Sequence, residues 1–222
     1  DDSIAAIRRA VELGVNWVDT APVYGWGHSE DVVRRALEPF SEEDRPYVFT
    51  KTGPERLEDG ESHMRGDAAY LRAETEASLR RLGVERLDLL HVHWPPDDGA
   101  AIEDYWATLA ALRDEGKVAH IGLSNHDVDQ LAAAEAITRV ETLQPPFSAI
   151  ERASAADVIP WCHEHETGVI VYSPMQAGLL SGSFTAEEAK ALANVLKYGS
   201  LPVALKVSSV EQLSPTLGQD QL

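Results

Sequence analysis

Apolar residues recur at three-to-four spacing in six stretches of the chain, 2–13, 29–38, 69–82, 102–115, 127–138 and 154–165, and this period predicts six amphipathic helices. Each is followed by a short apolar run: NWVDTA (16–21), YVFTKTG (47–53), LDLLHVHW (87–94), AHIGLSN (119–125), ETLQPPFS (141–148) and GVIVYSP (168–174). These predict six strands. Gly14, Gly83, Gly116 and Gly168 follow helical stretches, where a left-handed closing residue is cheapest as glycine. Ser29, Asp67, Asp127 and Ser154 stand where helix N-caps are expected. Strands alternating with helices imply right-handed crossovers and a parallel sheet, either a (β/α)-barrel or a doubly wound fold.

The polar residues decide between the two. A dinucleotide-binding doubly wound sheet carries a Gly-rich turn after its first strand, and no G-x-G-x-x-G occurs here. A barrel draws its reactive groups from the C-terminal ends of several strands. In this chain Asp19 ends the first run, Lys51 the second and His93 the third. Ser124 and Asn125 end the fourth, Gln144 lies in the fifth, and Tyr172 and Ser173 end the sixth. The expectation is a (β/α)8 TIM barrel.

With 222 residues, 44% of them apolar, the chain can bury one sizeable core, so one domain over 1–222 is expected. Its formal net charge of −18 disfavours nucleic acid and anionic membrane surfaces as partners. A single cysteine, Cys162, leaves no internal disulfide to form and is expected as a buried, inert thiol in a cytoplasmic protein. No apolar stretch is long enough to span a bilayer, and the opening DDSIAAIRRAVELG reads as a helix rather than a leader. No residue is assigned to a metal, and the oligomeric state is left open.

Taken singly, an Asp at a strand end is ordinarily a turn or cap residue, a Lys there is solvated, and a His in an apolar strand is a core residue. Together at one rim they are expected to form a mutually compensating cluster, because burying them unpaired is costly. Tyr24 lies in a Gly-rich loop five residues beyond Asp19. A free phenol has a pKa of about 10, and the Lys51 ammonium is expected to lower it, with Asp19 keeping the amine charged and His93 either bonding the substrate oxygen or relaying a proton. The result is a general acid aimed at a carbonyl.

The motifs VDTAPVYG, VFTKTG and LLHVHWP, which carry Asp19, Tyr24, Lys51 and His93, resemble those of the aldo-keto reductases. The bacterial branch that includes inositol-utilisation-related and general-stress reductases is the most similar. The resemblance covers roughly residues 2–182 and implies an Asp-Tyr-Lys-His catalytic tetrad. His93, immediately before Trp94 and Pro95, takes the family's histidine role and His91 a structural one. GLSN and TLQPPFS imply that Ser124, Asn125 and Gln144 bind a nicotinamide carboxamide. VYSPMQAGLLSG implies that Tyr172 stacks under the nicotinamide ring and that Ser173, Pro174, Met175, Gln176 and Gly178 meet the pyrophosphate.

The implied activity is NAD(P)H-dependent reduction of an aldehyde or ketone, a small-molecule carbonyl, with Trp94 and Trp26 as substrate-pocket walls. NADP(H) is the implied cofactor, with NAD(H) not excluded: relatives often carry a Lys after LLSG, where this chain has Ser183. Two alternatives stand beside the enzyme, a cofactor-binding regulatory subunit with negligible turnover and an inactive truncated barrel. Family members have an N-terminal hairpin and a first strand ahead of the helix that opens this sequence, so a barrel lacking both is expected. Residues 183–222 contain Lys190, Lys197 and Lys206 but no Arg, and are expected to supply a closing strand at 201–207 and a helix.

Overall fold

The computed structural model describes residues 2–182 apart from residue 59, so the closing strand and helix expected within 183–222 lie outside the described residues. Residues up to Pro174 form one compact unit. Its elements run α1 (Asp2–Glu12), β1 (Trp17–Asp19), α2 (His28–Leu37), β2 (Tyr47–Thr52), β3 (Pro54–Arg56), β4 (Ser62–Met64), α3 (Ala68–Leu82), β5 (Leu87–Val92), α4 (Ile102–Asp114), β6 (Val118–Ser124), α5 (Val128–Glu135), β7 (Thr142–Gln144), α6 (Val158–Glu164) and β8 (Gly168–Val169).

Six strands form a parallel sheet in the order β1-β2-β5-β6-β7-β8. The order never reverses along the chain. A doubly wound sheet reverses at its switch point, whereas a barrel winds in one direction, so this is a partial (β/α) barrel. All six strands read from the apolar runs are present; five are shorter than their runs, and β6 has the length of its run but begins one residue earlier. β7 stops at Gln144 because Pro145 and Pro146 have no N–H for the ladder. Beyond it the chains stay parallel through an isolated bridge between Pro146 and Tyr172, so Tyr172 and Ser173 lie past β8 rather than at its end.

β5 (LDLLHV) is almost continuously buried, as a strand covered on both faces must be. Between sheet and helices Leu71, Leu82, Leu109, Leu112, Ile121, Leu123 and Leu131 pack around Trp106, whose indole N–H donates to the Thr138 carbonyl at 3.0 Å. Cys162 is fully buried and free, and desolvation pushes its thiol up to about 11, which keeps it unreactive.

Two of the four expected caps hold. Asp67 accepts from the Tyr70 N–H, and Asp127 forms a capping box with Gln130. Ser29 is not a cap: α2 opens one residue earlier behind left-handed Gly27, and the Ser29 hydroxyl pairs with that of Thr20. Ser154 sits in a short 3-10 turn and donates to the Pro146 carbonyl, while Asp157 caps α6. Gly168 is not a helix terminator but the first residue of β8, and the left-handed residue falls at Glu166. The antiparallel β3–β4 hairpin was not expected; its three-residue polar strands lack the apolar alternation that marks a strand.

One register row crosses the barrel interior through Lys51, His91, Gly122, Thr142 and Gly168. His91 reaches over Gly122 to Thr142, Nε2 to Oγ1 at 3.0 Å. A Cβ at 122 would lie 2.1 Å from the Thr142 hydroxyl and 2.6 Å from the His91 ring, so only glycine leaves room for this bond. Gly122→Ala is therefore expected to destabilise the fold by about 1–3 kcal/mol through overpacking, read as a lower urea midpoint at unchanged slope.

Candidate active site

The C-terminal ends of β1, β2 and β5 bring Asp19, Lys51 and His93 to one rim. Lys51 is 1% exposed, and its ammonium donates to Asp19 Oδ2 at 2.6 Å and to the Thr20 carbonyl at 2.9 Å. A buried ammonium needs such partners, because the cost of leaving it bare exceeds what packing returns. Thr20 was not among the residues singled out in the sequence. It acts through its main-chain oxygen, which no side-chain pattern reveals.

Tyr24 comes from the loop between β1 and α2. Its ring lies with its centroid 5.4 Å from the Lys51 nitrogen and meets the His93 ring edge-on at 5.9 Å. The four residues expected as a tetrad are therefore adjacent. Their electrostatics differ from expectation in one respect: the Tyr24 hydroxyl is pushed above the ordinary phenol value, not below it. Burial is the largest cause, and the Asp19 carboxylate and Tyr172 add to it. Lys51 cannot reverse this because its charge is already matched by Asp19. Burial in turn holds the Lys51 amine below its usual range, against the opposing pull of Asp19. His93 is lowered to about 4 by desolvation and by Lys51, so it is a neutral hydrogen-bonding group at pH 7.

The next strand ends carry a second polar group. Ser124 Oγ donates to the Gln144 carbonyl at 2.8 Å. Asn125, in a left-handed conformation with φ 63°, donates through Nδ2 to the His93 carbonyl at 2.9 Å and to Ser124 Oγ at 3.0 Å. Its Oδ1 accepts from the Tyr172 hydroxyl at 2.7 Å. Gln144 is 2% exposed, yet its side-chain amide makes no hydrogen bond to a described residue. An amide with one donor face and one acceptor face, both open at this rim, is the chemistry that a carboxamide ligand requires. The residues present fit a nicotinamide.

Ser173 takes φ 55° ahead of Pro174. Met175, Gln176 and Gly178 belong to a separate compact unit beginning at Met175. Within it a 3-10 stretch, Gln176–Ser181, is interrupted at Ala177 and Gly178, both left-handed, and the Gly178 and Leu180 N–H groups return to the Met175 carbonyl. Trp94 and Trp26 are both exposed, at 48% and 37%. Trp26 carries the Arg56 guanidinium of β3 over its ring at 5.7 Å, a contact made by the hairpin that the sequence pattern did not disclose.

Residues 1–215 match the profile described as the aldo/keto reductase family. The chain belongs to the aldo/keto reductase family. It is 34% identical to aldo-keto reductase YhdN of Bacillus subtilis, over 83% of this chain and 55% of that protein. It is 32% identical to the NADH-specific methylglyoxal reductase of Escherichia coli, over 83% of this chain and 60% of that one. The glycerol dehydrogenase AKR11B4 of Gluconobacter oxydans is a structural neighbour, with TM-score 0.79 and 35% identity over 84% of this chain and 58% of the other. The chain thus spans a little over half the length of these aldo/keto reductases. Among the described residues no helix is long and apolar enough to cross a membrane.

Burial also lowers His91 to about 3 and His126 to about 4. His126 is held between the Ser124 carbonyl and the Tyr105 hydroxyl. Unfolded histidine takes up a proton at about 6.5, whereas these three stay neutral when folded, so unfolding binds protons below that pH. Stability is therefore expected to be full above pH 6.5 and to fall towards about pH 4, each histidine contributing up to about 1.4 kcal/mol per pH unit. Urea midpoints followed through that window check the slope.

Proposed function

We propose that this chain supplies the reduction centre of an NAD(P)H-dependent carbonyl reductase, which converts an aldehyde or ketone to an alcohol. The observation that carries the reading is the Lys51–Asp19 pair beside the Tyr24 ring, 2.6 Å between the charged atoms and 5.4 Å from ammonium to ring, with His93 edge-on. The reduced nicotinamide, when bound, supplies the hydride.

The chain's own residues do the rest. Tyr24, kept protonated by burial and by Asp19, donates its proton to the carbonyl oxygen as charge develops there. The phenolate left behind is stabilised by the Lys51 ammonium, and Asp19 fixes where that ammonium points. Neutral His93 offers a ring nitrogen to the substrate oxygen and orients it. Gln144 takes the carboxamide of the cofactor, with Ser124 and Asn125 completing the grip. Tyr172 would stack on the nicotinamide ring, and Ser173 and Pro174 would meet its pyrophosphate. Trp94 and Trp26 wall the substrate entrance.

NADP(H) is the cofactor we assign, with NAD(H) a second possibility since the methylglyoxal reductase relative is NADH-specific by name. A small-molecule carbonyl is the partner, and a cytoplasmic setting is consistent with the free buried thiol of Cys162.

Three experiments test this. Titration with NADPH, followed by its fluorescence, should show binding, and an added aldehyde should then drive its oxidation. Binding without oxidation would favour a regulatory subunit, and no binding would sink both readings. In Tyr24→Phe, reduction should fall by about 10²–10⁴-fold while NADPH affinity stays within a few-fold; a variant as fast as the parent would remove Tyr24 from the reaction. Gln144→Ala should do the reverse, weakening NADPH binding by about tenfold, the loss expected from one or two hydrogen bonds, and unchanged affinity would count against the carboxamide assignment.

A further inference from the structure

We infer that the first turn of α2 is a positioning device for the Lys51 ammonium, with Glu30 and Ser29 as its positioning residues. The inference rests on the reductase reading of the site, but the geometry behind it does not. Glu30 is 0% exposed and has no part in the reaction, which makes a buried carboxylate there costly unless it holds something. Its Oε1 accepts from the Thr50 hydroxyl at 2.7 Å and its Oε2 from Arg81 Nε at 2.5 Å. Thr50 directly precedes Lys51 in β2. Successive strand residues face opposite sides, so Glu30 grips the strand from the helix side while Lys51 points into the barrel.

Ser29, its neighbour, holds the other strand. Its hydroxyl and that of Thr20 are 2.8 Å apart, and Thr20 follows Asp19 and gives Lys51 its carbonyl acceptor. The Ser29 N–H also donates to the Tyr24 carbonyl at 3.1 Å. Two adjacent residues of one helix thus fix the ends of β1 and β2 and the start of the Tyr24 loop. Apolar contact would hold these pieces together, but hydrogen bonds set their distance and direction.

Arg81 completes the device by neutralising Glu30, and it reaches the carboxylate across Gly27. A Cβ at that position would stand 2.7 Å from Arg81 Cδ, and Gly27 itself has φ 97°. Glu74, on the neighbouring helix, repeats the arrangement one residue beyond Lys51: its Oε2 accepts from the Thr52 hydroxyl and the Gly53 N–H, both at 2.7 Å. Facing Lys51 on the barrel side are Asp19, His91, His93 and Tyr24. Facing Glu30 are Arg81 and, more remotely, Glu74.

The test is Thr50→Val, which preserves shape and removes the donor. Lys51 is read directly by NMR in protein with ε-13C-labelled lysine, its signal assigned by loss in Lys51→Arg. Loosening the Asp19 pairing should move the Lys51 titration midpoint down by about half a unit or more. It should also lower kcat by about tenfold or more, with NADPH affinity within about twofold, since displaced catalytic groups cost rate before binding. Thr50→Ser should restore both. A folded Thr50→Val with an unmoved Lys51 midpoint overturns the inference, whatever happens to its activity. If Thr50→Val does not fold, Glu30→Gln replaces it under the same criterion. Should the parent reduce no carbonyl while the midpoint still moves, the reductase reading fails and the positioning role stands.

Discussion

The ion pair between Lys51 and Asp19 is the constraint around which this barrel is arranged. An ammonium 1% exposed survives only with a carboxylate and a carbonyl in reach, and here they come from the last residue of the adjoining strand and the residue after it. Removing one partner of such a pair typically costs about 3–5 kcal/mol, because the other charge is left buried and bare. The β1–β2 register is therefore not free to slip. A shift of one residue would turn Asp19 to the helices and bring Thr20 into the barrel.

Strand alternation divides the work. On the barrel side β2 presents Lys51, and on the helix side Thr50 and Thr52, each tied to a carboxylate of a flanking helix, Glu30 and Glu74 respectively. The polar groups of the outer layer hold the inner ones still. Along the register row of Lys51, His91 and Thr142 close over Gly122, and burial keeps that histidine neutral, so among the described residues Asp19 is the charge that faces Lys51 at close range. A neutral floor beneath the pair leaves Tyr24 and His93 to define the open side.

Much of this was legible in the chain. Six apolar runs alternating with amphipathic stretches marked every strand of the parallel sheet, because a doubly covered strand cannot hide its composition. Asp19, Lys51 and His93 were legible for the same reason, as polar residues where an apolar run ends. What escaped reading depended on contacts between distant segments. The β3–β4 hairpin is stabilised by pairing such as Glu55 with His63 at 2.8 Å, not by an apolar face. Ser29 and Ser154 have capping composition, but each found a better partner across the fold, in Thr20 and in the Pro146 carbonyl. The Thr20 carbonyl carries no residue-type signal. Gly168 looked like a helix stop because its neighbours do not show that Glu166 takes the left-handed turn instead.

The sign of the Tyr24 shift is the most instructive of these departures. From sequence, a lysine near a phenol lowers its pKa; in the structure, the lysine arrives already neutralised, and burial with Asp19 prevails. The consequence bears on direction. A carbonyl reductase needs its proton on the tyrosine before hydride arrives, whereas alcohol oxidation needs a tyrosine ready to accept one. With Lys51 matched by Asp19, burial and the Asp19 carboxylate hold the resting phenol protonated, which is the state that the proposed reduction needs. Once the proton has left, the balance changes: a phenolate beside the ammonium adds a second negative charge to that held by Asp19, and Lys51 becomes the group that both must share. In the proposed reaction the pair would thus leave the acid intact until substrate draws the proton away, and supply its stabilisation only afterwards, in the charge state that proton transfer creates.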